Sequence, residues 1–143
     1  MVWQHIAQDN PQAGPKLGCC RVDRQTFTLL VVATHRRILR AYGTSDGRVP
    51  FLDWLESLKD VRRRAAIRSR LDRLEAGNPG DCHPVGGGVS ELRVHFGPGY
   101  RVYFGEEGEH VALLLCGGAK RTQQRDIERA KAYWVDYRSR KDA

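Results

Sequence analysis

Between Glu91 and Cys116 the chain alternates apolar and polar residues with a period of two, interrupted twice by glycine-rich turns. That pattern commits the segment to an antiparallel sheet. Leu92, Val94 and Phe96 alternate with Arg93 and His95; Gly97-Pro98-Gly99 reverses the chain; Tyr100, Val102 and Phe104 then alternate with Arg101 and Tyr103. A second turn spans Gly105 to Gly108, and Val111 to Cys116 is apolar at nearly every position, as in a central strand covered on both faces. Facing residues of a hairpin point the same way, so Arg93, His95, Arg101 and Tyr103 are expected on one face and the Leu92, Val94 and Phe96 set on the other, in the core. Lys120 and Arg121, just past Gly117-Gly118, are placed to close the edge of the basic face.

Helical patterns flank this sheet. Arg37 to Tyr42 reads as a short strand ended by the turn cluster Gly43 to Gly47. Pro50 is suited to a first helical position, and Phe51, Leu55 and Leu58 follow at i, i+4 and i+7 with Trp54 beside them. A second helix carries the stripe Ile67, Leu71 and Leu74 and ends at Gly77-Asn78. A third begins near Thr122, with Ile127, Ala130, Trp134 and Tyr137 at helical spacing. The expected fold class is α+β: a strand, two helices, an antiparallel three-stranded meander (about four strands in all) and a C-terminal helix, with the helices on one side of the sheet.

Segment 36–141 is therefore expected to form the domain. Met1 to His35 shows no sustained period and reads as an irregular extension outside it. With 143 residues there is room for one domain, not two with a linker. Twenty-four Lys and Arg against 17 Asp and Glu give a net charge of +7, which favours polyanionic partners. The apolar run Leu29 to Ala33 is far short of the ~20 residues of a membrane span and lacks the cleavage site of a signal peptide. Cys19, Cys20, Cys82 and Cys116 make no CxxC pair and read as reduced thiols, consistent with a cytoplasmic protein. Cys82-His83 has no second pair at zinc-like spacing, and Gly86-Gly87-Gly88 leads into a strand rather than a helix. Neither a metal nor a nucleotide cofactor is expected.

The basic face suits RNA cleavage without a metal. A 2′-hydroxyl must lose a proton as it attacks phosphorus, the leaving 5′-oxygen must gain one, and the phosphorane charge must be neutralised. Arg93, Arg101 and Lys120 supply charge, and His95 is the natural proton carrier. Tyr103 and Tyr100 are candidates to stack on a base or assist proton transfer, with sheet packing as the plainer alternative. Arg93 fits a bridge to Glu91 as well as a phosphate contact. On the second helix Arg62, Arg63, Arg64, Arg68, Arg70 and Arg73 dominate the surface; Arg62, Arg68, Arg70 and Arg73, together with Arg121, are the candidate RNA contacts.

Several motifs in order then resemble a known family: Phe51-x-x-Trp54-Leu55-x-x-Leu58-Lys59-Asp60, Arg70-Leu71-x-Arg73-Leu74-Glu75-x-Gly77-Asn78-x-Gly80-Asp81, Gly86-Gly87-Gly88-Val89-x-Glu91-Leu92-Arg93, Gly97-Pro98-Gly99-Tyr100-Arg101-Val102-Tyr103-Phe104 and Leu114-Leu115-Cys116-Gly117-Gly118-x-Lys120. From about Arg37 to Arg140 the chain resembles the addiction module killer proteins, phage Gp49-like, HigB-type toxins of the RelE/ParE superfamily. The resemblance implies a RelE-like fold and a bacterial type II toxin neutralised by a small antitoxin, often one with a helix-turn-helix domain. It also implies an mRNA interferase acting on the ribosome; ParE-type relatives instead inhibit DNA gyrase without chemistry, and a degenerate toxin would serve only as an antitoxin-binding corepressor. By motif, Arg101 matches the sheet arginine at the scissile region, Lys120-Arg121 resembles the basic pair after the last strand, and Arg93 and His95 stand where relatives have lysines. Where some relatives place a catalytic tyrosine or histidine, this chain has Ile127. Ile6-Ala7-x-Asp9-Asn10-Pro11-x-Ala13 resembles a ParE-type helix motif out of order, which suggests a remnant of a neighbouring toxin or a misplaced start.

Overall fold

A computed structural model describes residues 36–143; the segment 1–35, with Cys19, Cys20, the Leu29 to Ala33 run and the out-of-order motif, lies outside the described residues. The elements are β1 (Ile38–Ala41), α1 (Pro50–Ser57), α2 (Val61–Glu75), β2 (Cys82–Gly86), β3 (Val89–Val94), β4 (Tyr100–Glu107), β5 (Val111–Ala119), a 3-10 turn (Lys120–Thr122) and α3 (Gln123–Asp142). Pro50 occupies the first turn of α1, where its missing N–H costs nothing. Asp60 caps α2 by accepting from the Arg62 N–H at 2.9 Å.

Among the described residues the strands form one sheet in the order β1-β5-β4-β3-β2. β1 runs parallel to β5 and the other neighbours are antiparallel. The α+β class and the meander agree with expectation, but the sheet has five strands rather than about four. The additional one, β2, contains Pro84 and ends at Gly86; it sits at the sheet edge, where proline removes no interior ladder bond.

A second correction concerns the layers. Helices cover both faces, not one. Phe51, Leu55, Ile67, Leu71 and Leu74 of α1 and α2 pack on Leu92, Val94, Val102, Phe104 and Leu114, while Ala130 and Trp134 of α3 pack on Val89, Tyr103, Leu113 and Leu115. The continuous apolar character of β5 requires this arrangement, because its alternate residues supply both cores.

Close backbone approach holds α3 down. A Cβ added at Gly105 would fall well inside van der Waals contact with the Trp134 ring, and one at Gly117 would do the same to Trp54. Gly105→Ala is expected to destabilise the fold by about 1–3 kcal/mol through overpacking against a buried indole. Equilibrium denaturant unfolding of the variant measures this cost.

Candidate functional site

The β3–β4 hairpin creates the site. Its register sets Arg93 directly opposite Arg101 and Glu91 opposite Tyr103, with all four on the face that α3 covers only in part. Like charges opposite one another in a sheet repel. Glu91, 1% exposed, lies between them: Arg93 Nε donates to its Oε1 at 3.0 Å, and Arg101 Nε stands 3.5 Å from the same oxygen. Gln123, in the first turn of α3, donates to Oε2 at 2.7 Å. The hydrogen bond to Glu91 pushes the Arg93 guanidinium pKa up, so its charge is permanent.

Two buried or half-exposed guanidinium groups thus share one carboxylate, and one positive charge is left over. Arg101 is 5% exposed, and its Nε–H finds no hydrogen-bond partner. These side chains open into a cleft of about 640 Å³ that is also lined by His95, Phe96, Lys120 and Gln123. Lys120 is exposed and, among the described residues, has no side-chain ionic partner. A buried, incompletely satisfied arginine beside a second arginine and an exposed ammonium concentrates positive charge at the cleft, and phosphate oxygens suit the guanidinium geometry.

His95 lies one residue past the end of β3 and reaches the cleft from the rim. Its Nε2 is 2.5 Å from Asp81 Oδ2, and the other oxygen, Oδ1, is 2.5 Å from His83 Nε2. Bonds from His95 and then His83 lower the Asp81 pKa below its ordinary value of 3.8. The carboxylate's contribution to the folded state is therefore present at neutral pH and disappears only as pH falls through that lowered value. The carbonyl of Asp81 accepts from the Arg93 N–H at 3.0 Å and from Arg70 Nη2 at 3.2 Å, which fixes the residue in space. With Nε2 donating to Asp81, Nδ1 of His95 is left as the acceptor able to take a proton.

The structure brings Arg93, His95, Arg101 and Lys120 together around the cleft and separates the other candidates from it. Tyr103 shares the Arg93–Arg101 face but is fully buried; its hydroxyl has no hydrogen-bond partner, and burial with the adjacent Glu91 charge pushes its pKa up. Tyr100 is a correction: it is 3% exposed on the opposite face, in the α1–α2 core, with its ring 6.1 Å from Trp54. It cannot stack on a base there. Arg70 is a second correction. Although it sits on the arginine-rich helix, it is buried, and it donates to the carbonyls of Arg93, Pro79 and Asp81 at 3.1, 2.5 and 3.2 Å. It braces the loop under the cleft and offers no surface to RNA. Arg62, Arg68 and Arg73 are exposed on α2, in the layer on the other side of the sheet from the Arg93–Arg101 face. Arg121 is exposed next to Lys120 and does not line the cleft. Ile127 is partly buried against the α3-side core.

The bridge from Arg93 to Glu91 agrees with one of the two readings of Arg93, whereas the sharing of Glu91 with Arg101 and the places of Asp81 and Phe96 are not among the sequence expectations. Glu91 was legible as the acid two residues before Arg93 on the same face. Asp81 follows a glycine in a turn, and nothing local links it to His95, fourteen residues away. The Leu92-Val94 alternation predicts Phe96 in the core, but β3 ends at Val94 and the residue is exposed. Among the described cysteines, Cys82 and Cys116 are free, and burial pushes the Cys116 thiol up to about 12, leaving it unreactive at neutral pH. Among the described residues no helix is long and apolar enough to cross a membrane.

Comparison with known proteins adds two findings. A model of the family described as phage derived protein Gp49-like (DUF891) matches residues 53–134, a span that includes α2, β2 to β5 and every residue named in the cleft. A Haemophilus influenzae protein described as uncharacterized is 47% identical over 81 residues, covering 57% of this chain and 82% of that relative.

Proposed function

The chain belongs to the phage-derived Gp49-like family, and on that premise we propose that it is the toxin of a bacterial type II toxin–antitoxin pair. In this reading it is a ribosome-dependent endoribonuclease that cuts mRNA in the A site without a metal, held in check by a cognate antitoxin. The family is associated with toxins of such systems. The observation that carries the enzymatic part is the buried Arg101, facing Arg93 across the hairpin with only Glu91 between them, at the wall of a cleft that also holds His95 and Lys120.

The chemistry follows from placement. A scissile phosphate seated on Arg93 and Arg101 is flanked by His95, whose Nδ1 takes the 2′-hydroxyl proton as that oxygen bonds to phosphorus. The bond to the 5′-oxygen then breaks, and that oxygen takes a proton from solvent water, leaving a 2′,3′-cyclic phosphate and a 5′-hydroxyl. Arg101 and Lys120 offset the charge that grows on the phosphorane. Arg62, Arg68, Arg73 and Arg121 lie outside the cleft and are assigned to ribosomal RNA phosphates.

His95→Ala is expected to slow cleavage by about 10²-fold or more, as loss of a general base does, and Asp81→Ala by about tenfold through a mis-set imidazole. Neither should alter the melting temperature much, since both contacts are exposed. Single-turnover cleavage of mRNA on programmed ribosomes measures both. Purified chain added to such ribosomes should yield cut mRNA; intact mRNA together with inhibited gyrase supercoiling would favour a ParE-like inhibitor instead.

A further inference from the structure

Among the described residues lining the cleft, Phe96 is the one aromatic side chain besides His95, whose imidazole is engaged with Asp81; the two tyrosines that the sequence offered for base stacking are both buried. The residue is 38% exposed, and what marks it is its place among the cations of the cleft rather than its exposure, since single exposed apolar side chains are common. The backbone around it is fixed. The Phe96 N–H donates to Val94 O at 3.1 Å, the Gly99 N–H donates to Phe96 O at 3.0 Å, and the Lys120 N–H donates to Gly99 O at 3.0 Å, so the turn is tied to the end of β5. The result is a hydrophobic plate on a rigid hairpin tip, beside two guanidinium groups and an ammonium.

Resting on the nuclease reading above, we propose that Phe96 is the base-recognition element of the cleft: a nucleobase next to the scissile phosphate stacks on its ring while Arg93 and Arg101 hold the phosphate. Two features of single-strand recognition are then present together, cations tracking the backbone and an aromatic face for a base. Stacking on a phenyl ring has no hydrogen-bond pattern to satisfy, so this contact tolerates any base and adds affinity rather than codon choice. It also separates the two functions spatially, with charge on the cleft wall and stacking on its rim.

The test uses ribosomes programmed with mRNA whose A-site codon is 2′-O-methylated to block cleavage, carrying either normal bases or abasic sites in that codon. The wild-type chain is expected to bind the base-bearing complex more tightly. Phe96→Ala should weaken binding to the base-bearing complex about fivefold to a hundredfold and leave the abasic complex unchanged, with Phe96→Trp restoring the difference. Arg101→Lys should weaken both complexes alike. If Phe96→Ala binds both complexes as wild type does, or weakens both equally, the stacking role is overturned while the Arg101 result leaves the nuclease reading standing. If Arg101→Lys binds as wild type, or the wild-type chain binds neither complex, the nuclease reading falls and the Phe96 proposal with it.

Discussion

Arg101→Ala is expected to lower the rate of mRNA cleavage by about 10²- to 10³-fold, the usual cost of deleting one preorganised charge donor from a transition-state site. The fold should survive. Glu91 keeps its 3.0 Å bond from Arg93 and its 2.7 Å bond from Gln123, so no buried charge is stranded. The position is small on its far side as well, because Arg101 pairs in register with Gly118 of β5. Arg101→Lys separates charge from geometry: it retains the cation but loses the fork that fits two phosphate oxygens, and should recover only part of the rate. Single-turnover rates at saturating enzyme, beside circular dichroism of each variant, test the pair of expectations. A rate within a few-fold of wild type for Arg101→Ala would remove this arginine from the site.

Glu91→Ala should do the opposite, acting first on the fold. Glu91 is 1% exposed and is, among the described residues, the one anion paired with both Arg93 and Arg101. Its loss leaves Arg101, itself 5% exposed, with a buried unpaired charge, a situation that costs about 3–5 kcal/mol. Domains of this size have roughly 5–15 kcal/mol in hand, so the variant should be largely unfolded or melt far below wild type. Glu91→Gln keeps the shape and an acceptor for one neighbour and should fall between the two. Thermal and urea unfolding of the three proteins give the order, and equal stability of Glu91→Ala and wild type would contradict the account of how the arginines are held. Together with Arg101→Ala these variants distinguish a residue that acts on the substrate from one that positions it.

Much of the fold was legible because period-two alternation survives in β3 and β4, and because Pro50, Asp60 and Gly77 punctuate the helices where the physics of helix ends requires. The failures have particular causes. β2 was hidden by Pro84 and the following glycines, which are tolerable only because the strand lies at an edge. The layering was inferable from β5, apolar on both faces, but a second core requires a second helical layer, and α3 supplies it. Arg70 is three residues from Ile67 and four from Leu74, so the helical wheel sets it on the inward stripe despite its charge. Phe96 was misplaced because alternation says nothing about where a strand stops. The Arg93–Arg101 pairing followed directly from hairpin register, whereas the Asp81–His95 contact depends on the path of the loop before β2, which no local pattern encodes.

On the proposed function, this chain cuts translated mRNA with the Arg93–Arg101 cleft. Genome-wide mapping of mRNA 5′ ends after brief induction, with wild type and Arg101→Lys side by side, tests it most directly. New 5′-hydroxyl ends inside translated codons, abundant with wild type and sharply reduced with Arg101→Lys, are the predicted result. Growth arrest with intact mRNA, or equal cleavage by the two proteins, would contradict it.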